Sequence, residues 1–307
     1  MSSPPRVSIC MPTYNRAAFI RQTLETVLRQ TYADFELIVS DDNSSDETHE
    51  VVCSFNDSRI RYYRNASNLR MPENLNGAIR RAVGEHIVVF HDHDLYEPTL
   101  IEEMVGVLDR NPGVGFVHTG LFWVNTETGK KTRIVGPWSE QTRGMQIFKE
   151  LLRRWDCPIC ALTMVRRTCY DAIGLYDPQF GFISDVDMWM RLSMKYDVGY
   201  VATPLITCLE REKDHEFAKF NWHIPWNNVL IHEINLKRYC SQYLPSSQYY
   251  KYRFPIKKEL FLIKIMLYLF YKRDAENIFQ GIQVLQDKCN FLTYTSFTIM
   301  YWLNAKV

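Results

Sequence analysis

The sequence predicts an α/β fold: a mostly parallel sheet with helices on both faces, plus a helical C-terminal extension. Three observations predict it. From Val7 to about Thr119 short apolar runs alternate with longer stretches of helical period, the pattern of strands joined by crossover helices. Polar clusters stand after the first, second and fourth apolar runs, at the edge where open parallel sheets gather their ligands. With 307 residues, 46% of them apolar, the chain can fill one large domain or a domain with an appendage.

The elements follow in order. "VSICM" reads as the first strand, and Pro12 to Arg16 as a turn. Phe19, Ile20, Leu24, Val27 and Leu28 then recur at three- and four-residue spacing, the inward stripe of a helix. "FELIVS" is the second strand. It stops at "DDNSSDET", where Asp46 or Ser45 can cap a helix running to about Phe55. "IRYYR" is the third strand. Glu73 to Ala82 has helical character, Gly84 ends it, and "HIVVFH" is a strand that runs into His91, Asp92, His93 and Asp94. Pro98 starts another helix with Leu100, Ile101, Met104, Val105 and Leu108 on its buried face.

Three polar clusters occupy one sheet edge: Thr13, Tyr14 and Asn15; Asp41 and Asp42; and Asp92 to Asp94. No glycine-rich phosphate loop is present, which excludes the usual dehydrogenase and P-loop patterns. Lysine plus arginine (36) balances aspartate plus glutamate (35), so no global field recruits nucleic acid. Carboxylates repel phosphates unless a hard cation lies between them, so this edge suits a nucleotide diphosphate with Mg2+ or Mn2+. The competing reading of Asp92-His93-Asp94 is a polar loop that caps the following helix.

Further on, "GFISDVDMWMRLSMKY" (181–196) reads as a helix with Val186, Trp189 and Met190 facing the core. Ser184 and Asp187 have capping-box spacing, which assigns Asp187 a structural task. Asp185 has none. At the first helical position the dipole favours its ionised form, and a carboxylate there can accept a proton from an incoming hydroxyl.

Taken together, "VSICMPTYNR" (7–16), "QTYADFELIVSDDNSSDET" (30–48), Asn76 with "AVGEHIVVFHDHDLYEP" (82–98), "MVRRTCYDAIGLYD" (164–177) and "SDVDMWMRL" (184–192) resemble the inverting family 2 glycosyltransferases of the GT-A fold. The resemblance implies a Rossmann-like GT-A catalytic domain over 1–210, with a nucleotide-binding part to about 120 and an acceptor part over 121–210. It implies that Thr13, Tyr14 and Asp42 hold the nucleoside, Asp42 suiting the N3–H of uracil or thymine, with Arg70 as a nearby cation. Asp41 and Asp42 are expected to point to opposite sides of the strand, so only one meets the base. The D-x-D region implies ribose and metal-bound diphosphate at Asp92, His93 and Asp94, with His215 as a further metal ligand. His93 stands where the family places its metal-binding carboxylate. Three outcomes are open: His93 ligates the ion, Asp94 or Asp92 takes over, or metal dependence is weakened. Asp185 corresponds to the base that deprotonates the acceptor hydroxyl while the nucleoside diphosphate leaves from the opposite face.

The implied partners are a UDP- or dTDP-sugar donor and a saccharide or lipid-linked acceptor in cell-surface polysaccharide or glycoconjugate synthesis. Trp138, Trp155 and Trp189 are expected around the pocket. Eight scattered cysteines, with Cys157 and Cys160 as two half-buried thiols rather than zinc ligands, and an opening without a signal-peptide pattern suggest the cytoplasm. Residues 211–307 are expected to be mainly helical. "LFLIKIMLYLFY" (261–272) is too short to span a bilayer. The helix around it, 255–274, is flanked by Lys257, Lys258, Lys272 and Arg273. It reads either as a peripheral helix on the inner face of the membrane or as a helix buried against the catalytic domain or a second subunit. Two alternatives to the transferase stand: an inactive nucleotide-sugar-binding protein of the same fold, suggested by His93, and, ranked last, a sugar nucleotidyltransferase.

Overall fold

The computed structural model describes residues 3–154, 157–159, 162–210 and 223–243. The chain divides into two compact units, 1–213 and 214–307. In the first, β1 (Val7–Thr13), β2 (Phe35–Asp41), β3 (Ile60–Arg64) and β4 (His86–Val89) lie parallel in the order β3-β2-β1-β4. Every residue of β2 and β4 is buried, which explains why their sequences read as apolar runs without alternation. Val7 pairs with Phe35 and Thr13 with Asp41. The two strands therefore end level, and Tyr14 and Asp42 leave the sheet at the same edge.

Helices cover both faces. Val7, Ile9 and Met11 pack into one core with Ile20, Leu24 and Val27 of α1 (Ala17–Leu28) and with Leu100, Ile101, Met104, Val105 and Leu108 of α4 (Leu100–Arg110). Each such side chain contributes roughly 1.5–3 kcal/mol on leaving water. The short α2 (Thr48–Cys53) follows β2, and α3 (Glu73–Arg81) packs on β1 and β2 outside that core, over the opposite pleat. All the α4 positions expected from the sequence are buried; in α1, Phe19 and Leu28 are only partly so.

Gly84 does not end α3, as its sequence suggested. The helix stops at Arg81, Ala82 is already extended, and Gly84 is pressed against β1. A Cβ there would sit 2.7 Å from the Ser8 amide nitrogen, so close strand contact, not helix termination, is what requires glycine.

The sheet continues through β5 (Leu95–Tyr96), β6 (Val114–Asn125), β7 (Lys131–Ile134), β8 (Gln141–Thr142), β9 (Met164–Arg166) and β10 (Asp197–Glu210), giving the path β3-β2-β1-β4-β9-β6-β10-β5. It is more mixed than expected. β6 and β10 are parallel, but β9 enters antiparallel between β4 and β6, and β5, β7 and β8 also add antiparallel. Around this half lie α5 (Gly144–Arg153), α6 (Arg167–Ile173), a 3-10 segment (Pro178–Ile183) and α7 (Ser184–Ser193). Trp189 of α7 is fully buried and stacks on Phe116 of β6 at 5.4 Å. It is a core residue and cannot line a pocket. Trp138 packs edge-on against His118 and Tyr200, and Trp155 lies outside the described residues.

The second unit shows α8 (His223–Tyr243). The expected helix over 255–274, like Cys160 and His215, lies outside the described residues. No helix among the described residues is long and apolar enough to cross a membrane.

Candidate active site

The turn after β1 is built by reciprocal side-chain bonds with the turn after β2. Asn15 takes a left-handed backbone (φ 52°), its amide donates to Ser44 Oγ at 2.9 Å, and its Oδ1 accepts from the Ser45 amide at 2.8 Å. Asp46 accepts from the amides of both Ala17 (3.0 Å) and Thr48 (3.1 Å). One carboxylate thus meets the first amide of both α1 and α2, although Glu47, not Asp46 or Ser45 as the sequence suggested, occupies the cap position of α2 and its side chain makes no cap bond. Within this frame Tyr14 is 39% exposed, while Thr13 is buried and its hydroxyl has no hydrogen-bond partner among the described residues.

Asp41 and Asp42 diverge as strand geometry requires. Asp41 accepts from Tyr62 Oη and from the Ser44 amide, so it ties the turn together. Asp42 faces the segment that follows β3: Oδ1 accepts from Asn65 Nδ2 (2.9 Å) and the Leu69 amide (2.7 Å), and Oδ2 from the Arg70 amide (2.7 Å). Three donors leave room on a carboxylate that has about four acceptor sites. Arg70, at φ 61°, is exposed. Its backbone, more than its guanidinium, is what the structure joins to Asp42.

At the end of β4, Phe90 stacks on Tyr96 with ring centroids 3.9 Å apart, and Tyr96 Oη donates to the His91 carbonyl at 2.9 Å. Thr23 of α1 donates to the Asp94 carbonyl at 2.9 Å. These contacts clamp the loop that carries four titratable side chains. His93 Nδ1 lies 2.9 Å from Asp92 Oδ1, which also pairs with Arg16 Nε at 3.5 Å. His91 Nδ1 lies 3.1 Å from Asp94 Oδ2, and Asp94 Oδ1 accepts from the Leu209 amide. The two imidazole rings stack at 5.7 Å.

Burial alone would raise the Asp94 carboxyl, but His91, His93 and the Leu209 amide outweigh it and hold the group below the usual aspartate range. His91, His93 and Asp94 bring one donor atom each within 4.8 Å of one another, a set that could hold a metal ion. Asp92 is not in that set. Its Oδ1 is engaged by His93 and Arg16.

Asp185 behaves differently from its sequence-based expectation. It is the second residue of α7, its Oδ1 accepts from the Val186 amide at 2.9 Å, and it is half-buried. Burial pushes its carboxyl up to about 6, against the opposing pull of the Val186 amide and the positive charge of His91. Desolvation therefore defeats the helix dipole, which alone would favour the ion. The expected capping box is absent: Ile183 occupies the cap position and no side chain bonds there. Asp187 instead pairs with Arg191 at 2.7 Å, and Arg191 donates onward to the carbonyls of Ile173 and Leu175.

The sequence placed His91 beside this group without giving it a role, and Arg16 only in the turn after the first strand. The signal was available, since His91 and His93 form an H-x-H pattern beside the D-x-D that drew attention.

Comparison with known proteins matches residues 8–174 to the family description "Glycosyl transferase family 2". The chain is 30% identical over 191 residues to the Escherichia coli UDP-Glc:alpha-D-GlcNAc-diphosphoundecaprenol beta-1,3-glucosyltransferase WfgD, covering 62% of this chain and 70% of that one. It spans 31% and 58% of the length of two curated Rickettsia glycosyltransferases, from R. felis and R. typhi. Among solved structures it is similar to S. aureus TarS 1-349 in complex with UDP-GlcNAc (TM-score 0.63, 16% identity, 92% of this chain and 80% of that one). It is likewise similar to the Pyrobaculum calidifontis mannosyltransferase PcManGT in complex with GDP-Man and Mn2+ (TM-score 0.57, 17% identity, 99% and 87%). These likenesses show the GT-A fold. With more than half of its length matched, and with the motifs of that stretch meeting at one sheet edge, the chain belongs to glycosyl transferase family 2.

Proposed function

We propose that this protein is an inverting glycosyltransferase that moves a sugar from a UDP- or dTDP-sugar to a hydroxyl of a saccharide or lipid-linked acceptor. The observation that carries this reading is Asp185: a half-buried carboxyl raised to about 6 and under the electrostatic influence of His91, on the diphosphate-suited loop after β4. A base poised near neutrality both holds its charge and retains driving force to take a proton. WfgD, named for a UDP-Glc donor and a diphosphoundecaprenol-linked acceptor, and TarS with UDP-GlcNAc support the substrate class.

In this reading Thr13, Tyr14 and Asp42 hold the nucleoside, with the 65–70 segment that Asp42 organises closing over it, and residues to about 120 form the donor half. Residues 121–210 form the acceptor half. Asp92 orients His93, and His93 and Asp94 would hold the divalent ion. When bound, that ion neutralises charge on the departing diphosphate. Asp185 takes the acceptor proton on the side away from the leaving group, so the anomeric centre inverts. The protein works in the cytoplasm, at the inner membrane face when the acceptor is lipid-linked.

The test is release of UDP or dTDP from a panel of sugar nucleotides, with wild-type protein and Asp185→Asn. Donor binding is expected to survive the substitution and turnover to vanish; a fully active variant refutes the assignment. A second reading, an inactive sugar-nucleotide-binding protein, is favoured by His93 in the place of a carboxylate. It prevails if nucleotides stabilise the fold yet no donor is ever cleaved.

A further inference from the structure

The loop after β4 differs from a carboxylate-only diphosphate station in having two imidazoles in one donor group with Asp94. We propose that His91 is itself a metal ligand, and that His91, His93 and Asp94 form a two-nitrogen, one-oxygen site that selects first-row transition ions such as Mn2+, Co2+ or Zn2+ over Mg2+. The inference rests on the transferase reading only for the identity of the diphosphate that completes the coordination shell.

Three features carry it. First, the spacing fits an ion. His91 Nδ1 and Asp94 Oδ2 are 3.1 Å apart, which is also the edge of a coordination octahedron with bonds of about 2.2 Å. The whole set lies within 4.8 Å, near the roughly 4.4 Å that separates donors on opposite sides of such an ion. An ion entering beside His91 takes the Nδ1 lone pair, the ring carrying its hydrogen on Nε2.

Second, an outer layer is in place. Asp92, held by Arg16, accepts from His93 Nδ1. A carboxylate on one ring nitrogen sets the tautomer so that Nε2 carries the lone pair, and raises its basicity toward a metal. Asp94 is held by the Leu209 amide on its carboxylate and by Thr23 on its backbone carbonyl, so the oxygen ligand is positioned. The parallel stacking of the two rings, 11° between planes, keeps His91 and His93 together on one side of the loop.

Third, the donor chemistry discriminates. Mg2+ demands oxygen ligands and dehydrates reluctantly, whereas imidazole nitrogen favours later first-row ions in the Irving–Williams order. Two imidazoles in three protein donors move the site away from Mg2+.

The experiment reads the metal directly. Mn2+ is bound to the full-length protein with and without UDP, and nitrogen coupling is recorded by electron spin echo modulation. Coupling to two imidazoles is expected, falling to one in both His91→Ala and His91→Gln, with circular dichroism confirming that the variants fold. In competition titrations Mg2+ should displace Mn2+ only at roughly 100-fold or greater excess, and His91→Ala combined with His93→Asp should cut that excess at least tenfold. Bound Mn2+ without nitrogen coupling, or displacement by equimolar Mg2+, overturns the proposal while leaving sugar transfer intact. Nitrogen-coupled Mn2+ in a protein that cleaves no donor upholds the site and defeats the transferase reading instead.

Discussion

Asp185→Asn separates activity from stability in a way that only a desolvated base produces. The carboxyl is raised from 3.8 to about 6, with burial the dominant cause. Because the folded state favours the protonated form, it binds more protons than the unfolded chain between about pH 4 and 6. Stability from this group is therefore fully present below pH 4 and is lost as pH rises through 6. A shift of this size corresponds to about 3 kcal/mol at most, and solvent screening at a half-buried group brings the expected value to about 1–2 kcal/mol. The D185N variant should accordingly be more stable than wild type by about 1–2 kcal/mol at pH 7, with the two converging below pH 4. Its turnover should fall about 10²–10⁴-fold. In wild type, kcat should follow the ionised fraction of Asp185, rising about tenfold from pH 5 to 7 and then levelling. Urea denaturation at pH 4, 5.5 and 7, together with nucleotide release across the same range, checks both halves. A variant less stable than wild type at pH 7, or a wild-type rate flat to pH 4.5, would refute the reasoning.

Asp42→Ala should free the segment from Asn65 to Arg70 and raise the donor KM about tenfold or more, through loss of charge-assisted hydrogen bonds, with kcat much less affected; steady-state kinetics decide. Arg191→Met strips the fully buried Asp187 of its guanidinium and should cost about 3–5 kcal/mol in urea unfolding, where a loss below 1 kcal/mol would show the pair to be inert. Gly144→Ala places a Cβ 1.9 Å from the Tyr196 carbonyl oxygen and 2.4 Å from that of Ser193. It should destabilise the protein by about 3 kcal/mol, read as a lowered melting temperature, because both opposing atoms are backbone and cannot rotate away.

The nucleotide-side half was largely legible in the sequence because its signals are local. The stripe Ile20, Leu24, Val27 and the positions Leu100, Ile101, Met104, Val105 and Leu108 carry their burial in their own spacing. The antiparallel entry of β9 between β4 and β6 was not legible, since a three-residue strand takes its direction from neighbours that lie more than 40 residues away. The same holds for electrostatics. Asp185 looked like an ion at a helix start, and only the surrounding protein, absent from any local window, reverses that preference. Trp189 faces the core as its helical spacing predicts and so cannot also line a pocket; Asp187 was misassigned because its pairing with Arg191 is decided by packing, not by the S-x-x-D pattern.

Asn76 of α3 donates its Nδ2 hydrogen to the Tyr176 carbonyl at 2.8 Å and accepts the Tyr176 amide on Oδ1 at 3.1 Å, across 100 residues of chain. A primary amide that answers both polar groups of one distant residue works as a two-pin plug: it fixes distance and rotation together. Tyr176 leads into the 3-10 segment and thence to α7, so this amide, together with the Arg191 bonds to the Ile173 and Leu175 carbonyls and the stacking of Trp189 on Phe116, ties the start of the helix that carries Asp185 to the side of the sheet covered by α3.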